Sequence, residues 1–390
     1  MTRRADVVVV GGGIIGLATA RALRLADPRL DVVVVEREPG VGRHQSSHNS
    51  GVLHAGVYYA PGSLKAKLCR AGNDLIRPFC EAHGVEVRVD GKVVVAVEES
   101  ELDRFDDLVE RSLANGVPGV RVLDADELRE IEPEVRGLKA LYSPSTAIVD
   151  FAEVCAALAS EVQDVRLTTE VQRIDERSDG VVLETSSGEV EGRAAIVCAG
   201  LRTEMLAAAS GVKTDLRIVP FRGSWVVLKR GPAARVRGNV YPVPDPALPF
   251  LGVHLTPRLD GTVWAGPNAM LSIGADARVL SRALRFGGTS RMFLRQWRAA
   301  ATELPRDLVR RLYARDIARY LPGITVHDLE DGSRPFGVRA QAVARDGALV
   351  DDFVIEGAGR ALFVLNAPSP GATSSLAIGE HLAGRVRERL

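Results

Sequence analysis

Cysteine is scarce here: 390 residues carry only Cys69, Cys80, Cys155 and Cys198, with no C-x-x-C spacing. That count excludes a disulfide scaffold and a cysteine-rich metal site, and it predicts buried or half-buried thiols in a reducing compartment. Net charge is also missing, since fifty basic and fifty acidic residues cancel. Without a basic excess there is no electrostatic case for a nucleic-acid partner. Long apolar runs are absent too. The best, 93–97 and 194–199, are strand-length and far short of a membrane span. The chain enters an apolar run almost at once, so no signal peptide is expected and cytoplasm is the expected compartment. No internal repeat or low-complexity tract occurs. Hydrophobic content of 46% and charged content of 26% suit a globular protein, too long for one ordinary core.

What is present is concentrated at the start. Residues 6–10 (DVVVV) form an apolar run suited to a buried parallel strand, followed by Gly11-Gly12-Gly13-Ile14-Ile15-Gly16 and a stretch of helical composition over 17–25. A second apolar run, 32–35, ends at Glu36, about twenty residues beyond the last glycine. In such a unit Gly11 makes the tight turn, Gly13 admits the backbone to a pyrophosphate, and Gly16 lets helix pack closely on strand. The helix N-terminus, at Ile14 and Ile15, offers unpaired N–H groups and a positive dipole end to phosphate. Glu36 can accept from ribose hydroxyls and would repel a 2′-phosphate. The unit predicts adenine-dinucleotide binding and argues against NADP.

Helices are predicted over 63–83, capped by Ser63, over 101–114, over 124–131 with Asp124 and Glu127 as a capping box, and over 151–161. Strands are predicted at 91–97, near Val165, Val181 and Glu189, and at 194–199. The last of these ends at Ala199 and Gly200, a second place where backbone can approach a cofactor. Residues 218–267 are strand- and proline-rich, consistent with an antiparallel sheet. Residues 278–320 are helical and basic in composition, and a terminal helix is predicted over 375–387. The expected fold is α/β: a dinucleotide-binding Rossmann domain, discontinuous in sequence (1–85, 150–212 and 335–390), with an inserted antiparallel-sheet substrate domain (86–149 and 213–334). A plain NAD dehydrogenase usually keeps its nucleotide half contiguous. A flavoprotein needs a further element to hold its ring, and the helix following Gly371 could stabilise negative charge at the ring's N1–C2=O edge.

Several blocks resemble the L-2-hydroxyglutarate dehydrogenase/oxidase family of FAD-dependent, D-amino-acid-oxidase-like enzymes. They are 43–59 (RHQSSHNSGVLHAGVYY), 61–66 (PGSLKA), 220–223 (PFRG), 241–256 (YPVPDPALPFLGVHLT), 266–269 (GPNA), 337–342 (GVRAQA) and 366–374 (NAPSPGATS). The likeness runs over nearly the whole chain. It departs after 269, where the family's lysine- and tyrosine-containing stretch is replaced by Leu271-Ser272-Ile273-Gly274-Ala275-Asp276. The resemblance implies FAD as cofactor, a glutathione-reductase-like nucleotide fold, and oxidation of L-2-hydroxyglutarate, or a similar diacid, to the 2-oxo acid. With it, Gly11, Gly13, Ile14, Ile15, Gly16, Glu36, Arg37, His44, Asn49, Ser50, Gly51, Val171, Ala199, Gly200, Pro370, Gly371, Ala372, Thr373 and Ser374 become candidate FAD contacts.

Oxidising a 2-hydroxy acid needs a base for the hydroxyl proton, which histidine usually supplies. His54 is expected beside the flavin ring, as base, substrate ligand or point of covalent flavin attachment, with a structural role in the loop as the alternative. His254 follows the apolar run 249–253 and is the second candidate base, against a satisfied core histidine. Two substrate carboxylates call for guanidinium. Arg339, among small apolar neighbours, and Arg222 are the candidate anchors, each with a buried partner within the chain as the alternative, and Tyr58 is a candidate hydrogen-bonding partner, against plain packing. Lys65 and Lys67 read as a solvated helix face. His44 and His48 lack accompanying carboxylates or cysteines, so no metal is expected. Oxygen, a membrane quinone or another redox protein remain open as electron acceptor, and with a quinone comes peripheral attachment to the inner face of a membrane.

Overall fold

Four consecutive valines at 32–35 and four more at 7–10 are β-branched and stiff at χ1, which favours extended backbone where both faces can be covered. The computed structural model, which describes residues 4–245, 252–274, 276–357 and 359–390 and the side chains of all these but 298–308, places both runs in the middle of one sheet. Strand Ala5–Val10 lies between Val32–Val35 and Gly188–Val197, parallel to both, with Val7 opposite Val32 and Val10 opposite Val197. Asp164–Arg166 and Ala361–Asn366 extend the parallel core at its two sides. The predicted strands near Glu189 and 194–199 are one strand. Its early half forms a hairpin with Val181–Thr185, and its late half pairs with Ala361–Asn366.

The glycine turn feeds helix Ile14–Ala26, whose apolar face is buried against the sheet. A Cβ on Gly16 would collide with the Gly11 carbonyl, and one on Gly11 (φ +109°) would sit 2.5 Å from the Cys198 carbonyl oxygen. Only hydrogen fits at either place, which draws the ends of strands Ala5–Val10 and Gly188–Val197 together at one corner. The terminal helix Ser375–Arg387 packs on the first helix by the same device. A Cβ on Gly379 would lie 2.6 Å from the Ala18 carbonyl carbon.

Helix Leu64–Ala82 is capped by the Ser63 hydroxyl, which accepts from the Ala66 N–H at 3.1 Å. Helix Ala125–Ile131 carries the Asp124–Glu127 capping box. Lys65 departs from expectation. It is buried, its ammonium paired with Asp351 at 2.7 Å and 5.2 Å from the Tyr59 ring centre, while Lys67 is exposed.

A second, seven-stranded sheet runs in the order Val226–Val227, Val263–Gly266, His254–Pro257, Asn239–Pro242, Lys92–Ala96, Lys139–Ser143, Arg121–Leu123. It is antiparallel except at its centre, where Asn239–Pro242 runs parallel to Lys92–Ala96. Those two segments are far apart in the chain, so no hairpin constrains their direction. Residues 246–251, which include part of the apolar run before His254, lie outside the described residues. A three-stranded sheet joins Leu216–Ser224 to Phe336–Ala344 along nine residues of each, with Met270–Leu271 at the other edge. The four cysteines are free thiols, three of them buried.

Replacing Gly379 by alanine inserts a methyl where two helix backbones touch. We expect a loss of about 1–3 kcal/mol, read as a lower denaturant midpoint with unchanged m-value. An unchanged midpoint would mean the two helices can separate freely.

Candidate active site

The loop after the second strand is built from its own side chains. Asn49 donates to the Gln45 and Ser46 carbonyls and accepts from the Gly51 N–H at 2.8 Å, an Asx turn that sets the exit of the loop. Ser46, not foreseen from the pattern, accepts from the Ile14 N–H at 2.9 Å and so sits at the open N-terminus of the first helix. A hydroxyl there stands where a phosphate oxygen could accept the same bond. Glu36 accepts from the Gly12 N–H at 2.6 Å and the Glu38 N–H at 2.9 Å. Its remaining lone pairs can still take a ribose hydroxyl. Val171 begins a strand two residues after Thr169, whose N–H donates to the Glu36 carbonyl. Arg37 and His44 meet at Glu38, with His44 Nε2 2.9 Å and Arg37 Nε 3.1 Å from its carboxylate. The His44 bond holds the Glu38 carboxyl below its ordinary range. Ser50 is half-buried within the loop.

At the opposite end, Gly200 (φ +54°) lies against Gln45, whose Oε1 accepts from the Ala340 N–H at 2.9 Å. A Cβ on Gly337 would overlap the His48 carbonyl. The histidine-rich loop therefore lies directly on the strand that carries Arg339. Thr373 closes the other side: its hydroxyl donates to the Val52 carbonyl and accepts from the His54 N–H at 3.1 Å. Pro370 and Gly371 form the turn that starts the terminal helix, the Pro370 carbonyl accepting from Ser374 N–H and Gly371 N–H donating to Pro368. The hydroxyls of Ser374 and Ser375 at that helix start are buried and have no hydrogen-bond partner among the described residues.

Between these elements lies a cluster of buried polar groups. His254 is stacked on Tyr241, centroids 3.9 Å apart and planes 20° from parallel. Tyr241 in turn stacks with Tyr58 at 6.3 Å. Lys92 lies 4.6 Å from the Tyr58 ring centre and 4.9 Å from that of Tyr241. Among the described residues its ammonium, the Tyr58 hydroxyl and His54 Nδ1 have no hydrogen-bond partner, though all three are buried. Such atoms cost about 1–3 kcal/mol each, more for a charge, which marks a place where a polar ligand belongs. Arg339 is half-buried opposite Phe221 in its ladder and reaches toward Gly223. Desolvation lowers it to about 10.

Arg222 pairs with Val338, so it points to the other face of that sheet. It is exposed and lies 4.2 Å from the Phe336 ring centre, outside this cluster. Lys92 is the reverse case, a site residue that periodicity did not reveal. The available signal was a lysine leading the run Lys92–Ala96, every residue of which is buried.

Burial keeps both histidines neutral. His54 lies well below its ordinary value through desolvation, with Lys92, His254 and Lys65 adding. Desolvation also lowers His254 to about 3, against a Gly252 hydrogen bond that raises it, and Arg339 and Lys92 lower it further. His254 Nδ1 lies 2.9 Å from the Gly252 carbonyl. A carbonyl can only accept, so Nδ1 carries the hydrogen and Nε2 keeps its lone pair. Burial lowers Lys92 to about 7.

A family model described as FAD dependent oxidoreductase matches residues 6–385. L-2-hydroxyglutarate dehydrogenase of Nematostella vectensis is 43% identical, over 98% of this chain and 91% of its own length. Those of Homo sapiens and Escherichia coli are each 41% identical, covering 98% and 99% of this chain and 89% and 94% of theirs. This chain belongs to the L-2-hydroxyglutarate dehydrogenase family of FAD-dependent oxidoreductases. Its cofactor is FAD. Among solved structures, FAD-bound L-alpha-glycerophosphate oxidase from Mycoplasma pneumoniae superposes with TM-score 0.79 at 22% identity, over 99% of this chain and 95% of that one. Glycine oxidase from Geobacillus kaustophilus gives 0.73 at 22%, with the same coverage of each chain. These two establish the fold, and with it the α/β architecture expected from the sequence. The residues fit the cofactor: the Gly11 corner has room for no side chain, and the partnerless Ser374 and Ser375 hydroxyls need acceptors or donors from outside the chain.

The histidine shifts have a consequence for stability. An unfolded imidazole titrates near 6.5, so the contribution of neutral His254 is complete above that pH and is lost as pH falls from about 6.5 toward 3. At about pH 5 the loss is about 2 kcal/mol. Denaturant midpoints at about pH 7.5 and about pH 5 should therefore differ more in the native protein than in His254→Asn. Equal differences would show that this imidazole is hydrated.

Proposed function

We propose that this chain oxidises L-2-hydroxyglutarate to 2-oxoglutarate. The observation that carries the reading is the cluster of His54, Tyr58, Lys92, His254 and Arg339, a neutral base and two cations gathered in one place, with the Lys92 ammonium and the Tyr58 hydroxyl buried and without hydrogen-bond partners among the described residues, in a chain of this family. Bound FAD supplies the acceptor for the hydride that leaves C2. Residues 1–85, 150–212 and 335–390 hold it, through the Gly11–Gly16 turn, Glu36, the 44–51 loop, Val171, Ala199–Gly200 and the 370–374 turn. Residues 86–149 and 213–334 supply Lys92, Tyr241 and His254.

His254 removes the hydroxyl proton at Nε2, the nitrogen that its Gly252 bond leaves free. His54 contacts the substrate from the facing loop, and Arg339 holds a carboxylate. The cations that depress His254 are offset once an anionic substrate lies between them. The imidazolium is then stabilised only when there is a proton to collect. Burial of His254 and Lys92 keeps water from this transfer.

Anaerobic mixing with each enantiomer of 2-hydroxyglutarate tests the reading. The L form should bleach the bound flavin and the D form should not; bleaching by neither, or equally by both, would overturn it. His254→Asn should slow bleaching by about 10²–10⁴-fold. Arg339→Ala should raise KM sharply with an intact flavin spectrum, and an unchanged KM would remove Arg339 from the substrate site.

We propose a cytoplasmic location, with electrons passed to an acceptor held at a membrane surface. Among the described residues no helix is long and apolar enough to cross a membrane. Ile273, Leu284, Leu294 and Trp297 are each more than half exposed, within a segment that also exposes Arg278, Arg285, Arg291 and Arg295. Exposed apolar side chains among cations suit an anionic surface. Cosedimentation with anionic vesicles should fall several-fold in the double variant Leu294→Asp, Trp297→Asp. Equal sedimentation would sink this assignment.

A further inference from the structure

If the proposed oxidation is right, something must distinguish a diacid from the many 2-hydroxy acids with one carboxylate. Lys92 is 1% exposed, and among the described residues its ammonium has no hydrogen-bond partner and lies over the faces of Tyr58 and Tyr241 at 4.6 and 4.9 Å. Cation–π contact offsets part of the cost of burying a charge, yet it leaves three N–H donors unsatisfied. The nearby partnerless Tyr58 hydroxyl adds a donor.

The second cation of the cluster enters from elsewhere. Arg339 stands on strand Phe336–Ala344 and reaches Gly223, whose other neighbours are Pro267 and Asn268. Gly266, just before them, is paired with His254. Lys92 begins a strand of the other sheet and meets His254 through Tyr241. His254 is thus approached by one cation through the 266–268 corner and by the other through Tyr241. Both lower it, while neither appears among the influences on the other.

We infer that Lys92, with the Tyr58 hydroxyl, is the receptor for the second carboxylate of the substrate and sets selectivity for a diacid, while Arg339 holds the carboxylate next to the reacting carbon. A chain with a carboxylate at each end then reaches Arg339 with one and satisfies the buried Lys92 with the other, and leaves its hydroxyl at His254. A monocarboxylic 2-hydroxy acid of the same length leaves Lys92 bare. This rests on the proposed oxidation only for the identity of the diacid; the two-cation pocket is a matter of carboxylate recognition alone.

The test compares L-2-hydroxyglutarate with L-2-hydroxypentanoate as reductants, and glutarate with pentanoate as unreactive ligands titrated against the flavin spectrum of the holoenzyme. In the native protein the diacid of each pair should be favoured by on the order of 10²-fold. Lys92→Met should abolish that preference by weakening the diacid and leaving the monoacid unchanged, and Lys92→Arg should restore part of it. Flavin content and melting temperature establish that the variants are folded. In the native protein, diacid affinity should also fall as pH rises through about 7, where Lys92 loses its proton. Equal weakening of both acids in Lys92→Met, or a preference that survives it, would overturn the inference. If native protein prefers glutarate over pentanoate but is bleached by neither hydroxy acid, the oxidation reading fails and this one stands.

Discussion

Strand Phe336–Ala344 can lie against the histidine-rich loop only because residue 337 has no side chain; any Cβ there would displace the His48 carbonyl. Arg339, two residues along the same strand, is placed by that approach, and so is Ala340, whose N–H is taken by Gln45. The same loop ends at His54, tied down by Thr373 in front of the terminal helix. One missing methyl thus fixes how three remote segments, near residues 50, 340 and 373, meet over a single volume. The glycine corner at 11 and 16 acts on the other end of that volume in the same way, by letting backbone touch backbone.

Into this volume the second sheet delivers its charged and aromatic side chains. Lys92, Tyr241 and His254 come from three adjacent strands, and the stacking of their rings orders them. The parallel pairing of Asn239–Pro242 with Lys92–Ala96 sets Asn239 opposite Lys92 and Tyr241 opposite Val94, so Tyr241 shares a face of the sheet with Lys92 as its diagonal neighbour. A sheet read as wholly antiparallel would not require that neighbour. Desolvation then does the electrostatic work. It keeps the histidines neutral and leaves Lys92 close to losing its proton. All three respond to whatever anion enters.

Local rules made much of this readable in the chain. The glycine spacing and valine runs specify the opening strand–helix–strand unit, and the Ser63 and Asp124 caps mark their helices, because each depends on residues a few positions apart. His54, Tyr58, His254 and Arg339, singled out from composition and resemblance, fall in one cluster. Arg222 does not, because a one-residue step along a strand reverses the face. Lys92 and Lys65 were hidden for a different reason. A lysine is read as solvated unless its partners are known, and those partners, two tyrosine rings and Asp351, lie far away in sequence.

The thiols have one more consequence. Burial pushes Cys69, Cys155 and Cys198 up to about 12 and Cys80 to about 11. The thiolate is the form that oxidants attack, and at neutral pH its share here is on the order of 10⁻⁴ or less. Hydrogen peroxide, made whenever oxygen intercepts electrons in a flavoenzyme, would find almost nothing to oxidise at these four sulfurs. Cys69, which donates to the His54 carbonyl beside the reaction chamber, is sheltered in the same way. The fold thus keeps all four sulfurs in the protonated form that such an oxidant attacks slowly.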